Sequence, residues 1–478
     1  MWIFGRRSLF TAGLGLVIVA PGYGQSQVIT YPVPPGEPAS MDYSVEINGI
    51  RADVFAAKVG EWYQRAPYHF GDSYAFVQFD FSGTVKVRIH APGRDLRKAA
   101  VLPESKGIKP AVVDDNTIVV TLTEPCKLSV EPDGRKKPLL LFANRPEKDA
   151  PKKGDPGVLY FGPGIHRPES GIVDVQSNQT VYLAGGAILE GTLRVQNAEN
   201  VAIRGRGVIS GNRWAWRQGP GRLINLMKSR NITIDGIVLR GSPLWTVVPS
   251  ASENVTITNI KICNSAVQYN DDGVNPVNSR HVTVRDCFIR TADDCVAVKG
   301  MEHEWGDVDD ILVEDSILWT DLARVTLLGH ESRAARMGNI IFRNLEIVHH
   351  GRLPIFLLEP GEEMRLEDVR YENIRINGGL AFPEATETRK WLAVVRPNIT
   401  RWNRNRTWGR IERIAFKDVA LDGGPGWYSI LIEGVPDTDS RIKAVSFENM
   451  RIQGELLKAN SMPLILGPWM PAGGVTFR

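Results

Sequence analysis

Four aspartates carry the most concentrated chemistry in this 478-residue chain. Asp271 and Asp272 lie in Asn270-Asp271-Asp272-Gly273-Val274, and Asp293 and Asp294 lie in Ala292-Asp293-Asp294-Cys295-Val296. Carboxylates brought close together repel, so at least one of them keeps its proton near neutral pH. A cluster of this kind supplies an acid and a base in one place, which is what hydrolysis of a glycosidic bond requires. Asp-Asp pairs are also common turn residues, and clustered aspartate oxygens suit Ca²⁺. Two pairs at one structural register favour catalysis over both of those readings.

The register comes from a repeat. Short segments of one pattern recur: Asn200-Val201-Ala202-Ile203, Asn231-Ile232-Thr233-Ile234, Asn254-Val255-Thr256-Ile257 and His281-Val282-Thr283-Val284. Asp310-Ile311, Asn339-Ile340 and Asp368-Val369 continue it, and weaker copies follow at Ile414 and Val445. The Val/Ile anchors from 201 to 369 are spaced 31, 23, 27, 29, 29 and 29 residues apart. A period of this size means stacked coils. Each unit is β-branched and shows no helix period or leucine-rich spacing, which predicts a single-stranded right-handed parallel β-helix over residues 155–478. Asp272 and Asp294 are 22 residues apart, about one coil, so they should stack at the strand spacing of roughly 4.8 Å. Residues 28–150 alternate apolar and polar residues in runs such as Val85-Lys86-Val87-Arg88-Ile89, with turn chemistry such as Glu131-Pro132-Asp133-Gly134 between them. These runs predict a small β-sandwich, with Pro146–Gly157 as the linker. The fold class expected is all-β.

Composition bounds the function. A net charge of +3 and no basic stripe argue against nucleic acid as a partner. Arg6-Arg7 before the apolar run Leu9–Ala20, then Gly22-Tyr23-Gly24, read as a signal peptide over residues 1–24 of twin-arginine type. A retained anchor is the alternative. No later apolar run is long enough to span a membrane, so an exported chain without an integral membrane domain is expected. Cys126, Cys263, Cys287 and Cys295 form no C-x-x-C pair, so no metal or other cofactor is expected. The last three lie in strand-like segments and are read as small apolar core groups.

The segment Asn270-x-Asp272-Gly273, followed by Asp293-Asp294-Cys295-Val296-Ala297-Val298-Lys299, resembles the polygalacturonase family, glycoside hydrolase family 28. Ser242-Pro243-Leu244-Trp245 and Ser252-Glu253-Asn254-Val255-Thr256-Ile257 are similar to it as well. The resemblance covers about residues 155–380. It implies an inverting hydrolase with Asp293 as general acid and Asp272 and Asp294 activating water. Two of that family's features are missing at their registers, and the one string similar to its Gly-His-Gly, Gly329-His330-Glu331, falls later. Thr320-Asp321-Leu322-Ala323-Arg324 occupies the expected place of its Gly-His-Gly, and Leu353-Pro354-Ile355-Phe356-Leu357 that of its Arg-Ile-Lys. A sandwich ahead of a three-aspartate β-helix also resembles the dextranase and isopullulanase group, glycoside hydrolase family 49. That likeness points to a neutral glycan such as an α-glucan, with galacturonan next.

Residues at strand ends beside the aspartates are candidates for holding a polysaccharide or oligosaccharide. They are Asn270, Asp271, Lys299, Trp245 as a sugar platform, Asp321, Arg324, His330 and His350. His349 shares the expected register of His350. Trp214 and Trp216 are candidate rim aromatics, and Trp62 and Tyr63 belong to the first unit, which is read as structural support. Two alternatives of other classes remain. A β-helix lyase or epimerase needs a basic proton abstractor, and no Arg/Lys cluster is evident on the aspartate coils. A non-catalytic glycan-binding β-helix gives no reason for carboxylates to cluster.

Overall fold

The computed structural model describes residues 26–60, 71–378, 390–423, 427–437, 441–471 and 473–478. The segment 1–24, Trp62 and Tyr63 lie outside the described residues. Among those residues the fold is all-β: a right-handed parallel β-helix preceded by a small β-sandwich.

The sandwich pairs a five-stranded sheet with a six-stranded one. Val85–His90 alternates as its sequence requires, with Val85, Val87 and Ile89 buried and Lys86 and Arg88 outside. Its inner face meets Val77, Phe79, Leu128, Val130 and Leu141 of the larger sheet. The larger sheet has no solvent face. Its strands Ser73–Phe81, Cys126–Glu131 and Leu139–Asn144 are buried almost throughout. Phe55, Tyr74, Phe76, Leu140 and Phe142 point the other way, onto Val208, Val238, Cys263, Phe288 and Trp319 of the β-helix. Burial on both faces explains why these strands read as continuous apolar runs and not as alternation.

The β-helix stacks the anchors predicted from sequence. Val201, Ile232, Val255, Val282, Ile311, Ile340, Val369, Ile414, Val445 and Val475 are successive partners in one parallel ladder. The residues just before the anchors from Val201 to Val445 take left-handed backbone, and most of them are Asn or Asp, which tolerate it better than other non-glycine residues. Asn254 donates to Asn231, Asn231 to Asn200 and Asn200 to Asn178, at 3.0–3.1 Å. Inside the later coils Phe342, Tyr371, Phe416 and Phe447 stack with ring centroids 4.9–5.2 Å apart. All four cysteines are buried and unpaired.

A second ladder carries the aspartates. It runs through Thr192–Gln196, Ile224–Met227 and Val247–Ser250, and resumes at Val296–Gly300, Thr326–Ser332, Phe356–Glu359 and Lys390–Val395. Between the two parts the coil of residues 272–277 pairs only through bridges at Val274 and Val277. The first aspartate pair therefore sits where the regular ladder lapses into single bridges.

Candidate active site

Val247 pairs with Val274, Val274 with Val296, and Val296 with Thr326. Two residues earlier on each coil, this register places Trp245, Asp272, Asp294 and Arg324 in one column. Gly273 N–H donates to Asp294 O at 2.9 Å and Cys295 N–H to Arg324 O at 3.0 Å, so the coils are in direct contact at this column. Gly273 is required for that contact: a Cβ there would stand 2.4 Å from Cys295 O and 2.6 Å from Ile289 Cγ2. The 22-residue interval in the sequence is thus one coil.

Asp293 flanks the column and is the more exposed of the acidic residues here. Its Oδ2 accepts from Asn270 N–H at 2.7 Å and its Oδ1 from Asp294 N–H at 3.0 Å. Its backbone oxygen is clamped by the Thr291 and Thr320 hydroxyls, at 2.6 and 2.9 Å. Burial, followed by the charge of Asp294, pushes its carboxyl up to about 6. Asp272 is buried and accepts from Asn275 Nδ2 at 2.7 Å. Burial raises its carboxyl well above the ordinary range; Asp293 adds to the rise and Lys299 opposes it. Asp294 Oδ1 accepts from Arg324 N–H at 3.0 Å and from Arg324 Nη1 at 3.3 Å, which balances its charge. Asp272 and Asp293 therefore both resist ionisation, each raised by burial and by a neighbouring carboxylate.

Asp271 does not line a groove. It is fully buried, and its Oδ1 accepts the N–H groups of Ala292 and Asp293 at 3.0 and 2.8 Å. It is a positioning residue that holds the next coil's loop in place, not a substrate contact. Burial raises its carboxyl too.

Lys299 and Trp245 come together. The Lys299 ammonium lies 4.8 Å from the Trp245 ring centroid, and its Nζ is 3.1 Å from Glu331. Glu331 reaches it through a bulge: Val298 pairs with Leu328 but Gly300 pairs with Ser332, so extra residues stand opposite Lys299. His330 is one of them. Its φ is 59°, and Nε2 lies 2.8 Å from Glu359. Burial alone would raise the Glu359 carboxyl, but the His330 hydrogen bond and Arg396 outweigh it and bring it down to about 2. Asn270 reaches outward as well, accepting from Arg217 Nη2 at 3.0 Å. That contact ties the loop bearing Trp214 and Trp216 to the aspartate coil.

Asp321 and His350 are placed elsewhere. Asp321 is fully buried beside the sandwich, where Trp319 Nε1, Arg290 Nε and Arg135 Nη1 reach it at 2.8, 3.0 and 3.4 Å. Arg290 itself lies between two rings, 4.1 Å from Tyr74 and 3.9 Å from Trp319. His350 is also buried, with its ring nitrogens paired to Tyr428 OH and Gly351 O. His349 aligns with Trp319 on a different sheet and meets Glu131 of the sandwich at 2.9 Å. Register counted from the sequence misses this because bulges shift the later coils. Sequence reasoning also missed Glu331 and Arg222. Arg222 lies in no motif and Glu331 only closes the string Gly329-His330-Glu331; the ladder pairing is what brings both beside the aspartate column.

Over residues 171–317 the chain matches the family model described as glycosyl hydrolases family 28. This stretch contains both aspartate pairs. A probable polygalacturonase of Vitis vinifera is 38% identical over 120 residues, covering 23% of this chain and 24% of that protein. An endo-polygalacturonase of Pectobacterium carotovorum subsp. carotovorum is 35% identical over 83 residues, covering 17% of this chain and 21% of that protein. The matched part is thus about a quarter or less of these relatives' length. Among solved structures, Dex49A from Penicillium minioluteum superposes with a TM-score of 0.66 at 15% identity, covering 94% of this chain and 96% of that one. Sandwich and helix together share that fold. The chain therefore combines a polygalacturonase-like aspartate segment with the overall fold of Dex49A.

Proposed function

We propose that this protein is an exported inverting glycoside hydrolase that cleaves a polysaccharide. The observation that carries the reading is the stacking of Asp272 on Asp294 with Asp293 beside them, its carboxyl raised by burial and by its neighbours. Asp293 in its acid form donates a proton to the glycosidic oxygen as the bond to the anomeric carbon breaks. Asp272 and Asp294 flank the water that attacks that carbon from the opposite face, and whichever of the two is ionised takes its proton. The charge on Asp294 is balanced by Arg324, and Asp272 lies in the field of Lys299. Trp245 offers an apolar face to a sugar ring. The relatives' names favour a galacturonan-type polymer. A neutral α-glucan is the second reading, and the shared architecture with Dex49A is what it has in its support.

The test is to incubate the chain with galacturonan and α-glucan polymers and follow the first-formed anomer by NMR. Saturated reducing ends of inverted configuration are expected. Products absorbing in the ultraviolet would indicate elimination in place of hydrolysis, and retained configuration would rule out the assigned roles.

A further inference from the structure

The column of Trp245, Asp272, Asp294 and Arg324 extends one coil further back. Ile224 pairs with Val247, so Arg222 precedes Trp245 in the same column. Its guanidinium carbon lies 5.3 Å from the Trp245 ring centroid, and Nη1 donates to Asn225 Oδ1 at 2.8 Å. Its Nε and Nη2 make no hydrogen bond with the described residues. The side chain is half-buried, and burial is the one influence acting on its charge, which it disfavours.

The other cations of this floor are compensated. Lys299 has Glu331 and Arg324 has Asp294. Arg222 has no carboxylate within ion-pair distance among the described residues. A guanidinium that is partly desolvated, stacked on an indole and tied at one nitrogen is held in a fixed plane with donors unspent. Such a fork matches the two oxygens of a carboxylate, and its ordering is complete before a ligand arrives.

We propose that Arg222 is the receptor for a carboxylate on the polysaccharide. It grips a uronic acid unit on the Trp245 side of the site, two ladder steps, or roughly 10 Å, from Asp272, and so a unit away from the reacting bond. This deepens the hydrolase reading by naming the residue that selects an acidic polymer. The basic pair of the polygalacturonase pattern, absent at its expected register, is replaced by a single guanidinium at the opposite end of the aspartate column.

The experiment measures binding, so that it does not depend on turnover. An Asp293→Asn chain is titrated calorimetrically with oligogalacturonate and with the same oligomer after reduction of its carboxyl groups to alcohols. Arg222→Gln and Arg222→Lys are compared in that background. Tight binding of the charged oligomer is expected, with a loss of about 10- to 100-fold in Arg222→Gln. A smaller loss is expected in Arg222→Lys, and an unchanged, weaker affinity for the reduced oligomer. An unchanged melting temperature and unchanged binding of the reduced oligomer show that Arg222→Gln is folded. The proposal is overturned if the charged oligomer fails to bind, if Arg222→Gln binds it within twofold of the parent, or if both oligomers lose affinity equally. Should the charge-dependent binding hold while the wild-type chain cleaves no glycan, the hydrolase reading falls and the receptor remains.

Discussion

Asp293 gathers the consequences at the scale of single residues. Asp293→Asn keeps the acceptor for Asn270 N–H and removes the proton donor, so turnover should fall by about 10²–10⁴-fold with the fold intact. Near wild-type rates in that variant would sink its role as the acid. An acid whose carboxyl is raised to about 6 is protonated below that pH and ionised above it. The rate should therefore decline as pH rises through about 6, and this limb should vanish from the residual activity of Asp293→Asn. Stability follows the same proton. With the carboxyl raised from its ordinary value of 3.8, the folded chain holds a proton that the unfolded chain has already lost. Its contribution is full below about pH 4 and is lost as pH climbs through 6. The melting temperature of Asp293→Asn relative to wild type should accordingly rise between pH 5 and pH 7. Asp271 acts through its neighbour. Asp271→Asn retains an oxygen for the Ala292 and Asp293 N–H groups and should keep most activity. Asp271→Ala leaves both buried donors unsatisfied, at about 1–3 kcal/mol each, and should lose activity through a displaced Asp293.

At the scale of elements, the aspartate coils depend on close contact between ladders. Gly273→Ala would force its Cβ against Cys295 O, so a drop in stability of about 1–3 kcal/mol or more is expected by denaturant titration. An unchanged midpoint would show that the coils have room to move apart. Much of this level was legible in the sequence. The Val/Ile anchors, the Asn turns and the one-coil interval between Asp272 and Asp294 follow from a repeat whose side chains alternate between a packed interior and solvent. The candidate site was legible where it lay in motifs, at Asp272, Asp293, Asp294, Lys299 and Trp245. It was not legible at Asp321 and His350: Asp321 follows Thr320, the partner of Thr291, and so falls beside Ala292 and not Asp293, and a bulge opposite Leu318 and Trp319 shifts the histidines. Arg222 escaped because its importance rests on what does not pair with it, which spacing alone does not reveal. The strands of the larger sandwich sheet gave no alternation because a second layer covers them, and the sequence of one strand does not say what covers it.

At the scale of the whole molecule, the sandwich and the β-helix share a buried seam. Removing the sandwich would bare Val238, Phe288 and Trp319, and the truncated helix should be insoluble. Arg290→Met would leave Asp321 buried with its closest cation gone. A loss of about 3–5 kcal/mol is expected, and Arg290→Met with Asp321→Asn should recover part of it.

Arg290 lies on the strand Phe288–Thr291 that carries Phe288 into the seam, and Asp293 comes three residues later on the same coil. The proton donor thus hangs from a joint between two folding units. Gentle heating that loosens the joint would silence the chain while its coils stay stacked, so inactivation and melting would follow separate clocks, and an improvement in shelf life would have to be sought on the sandwich side of the seam, far from any sugar.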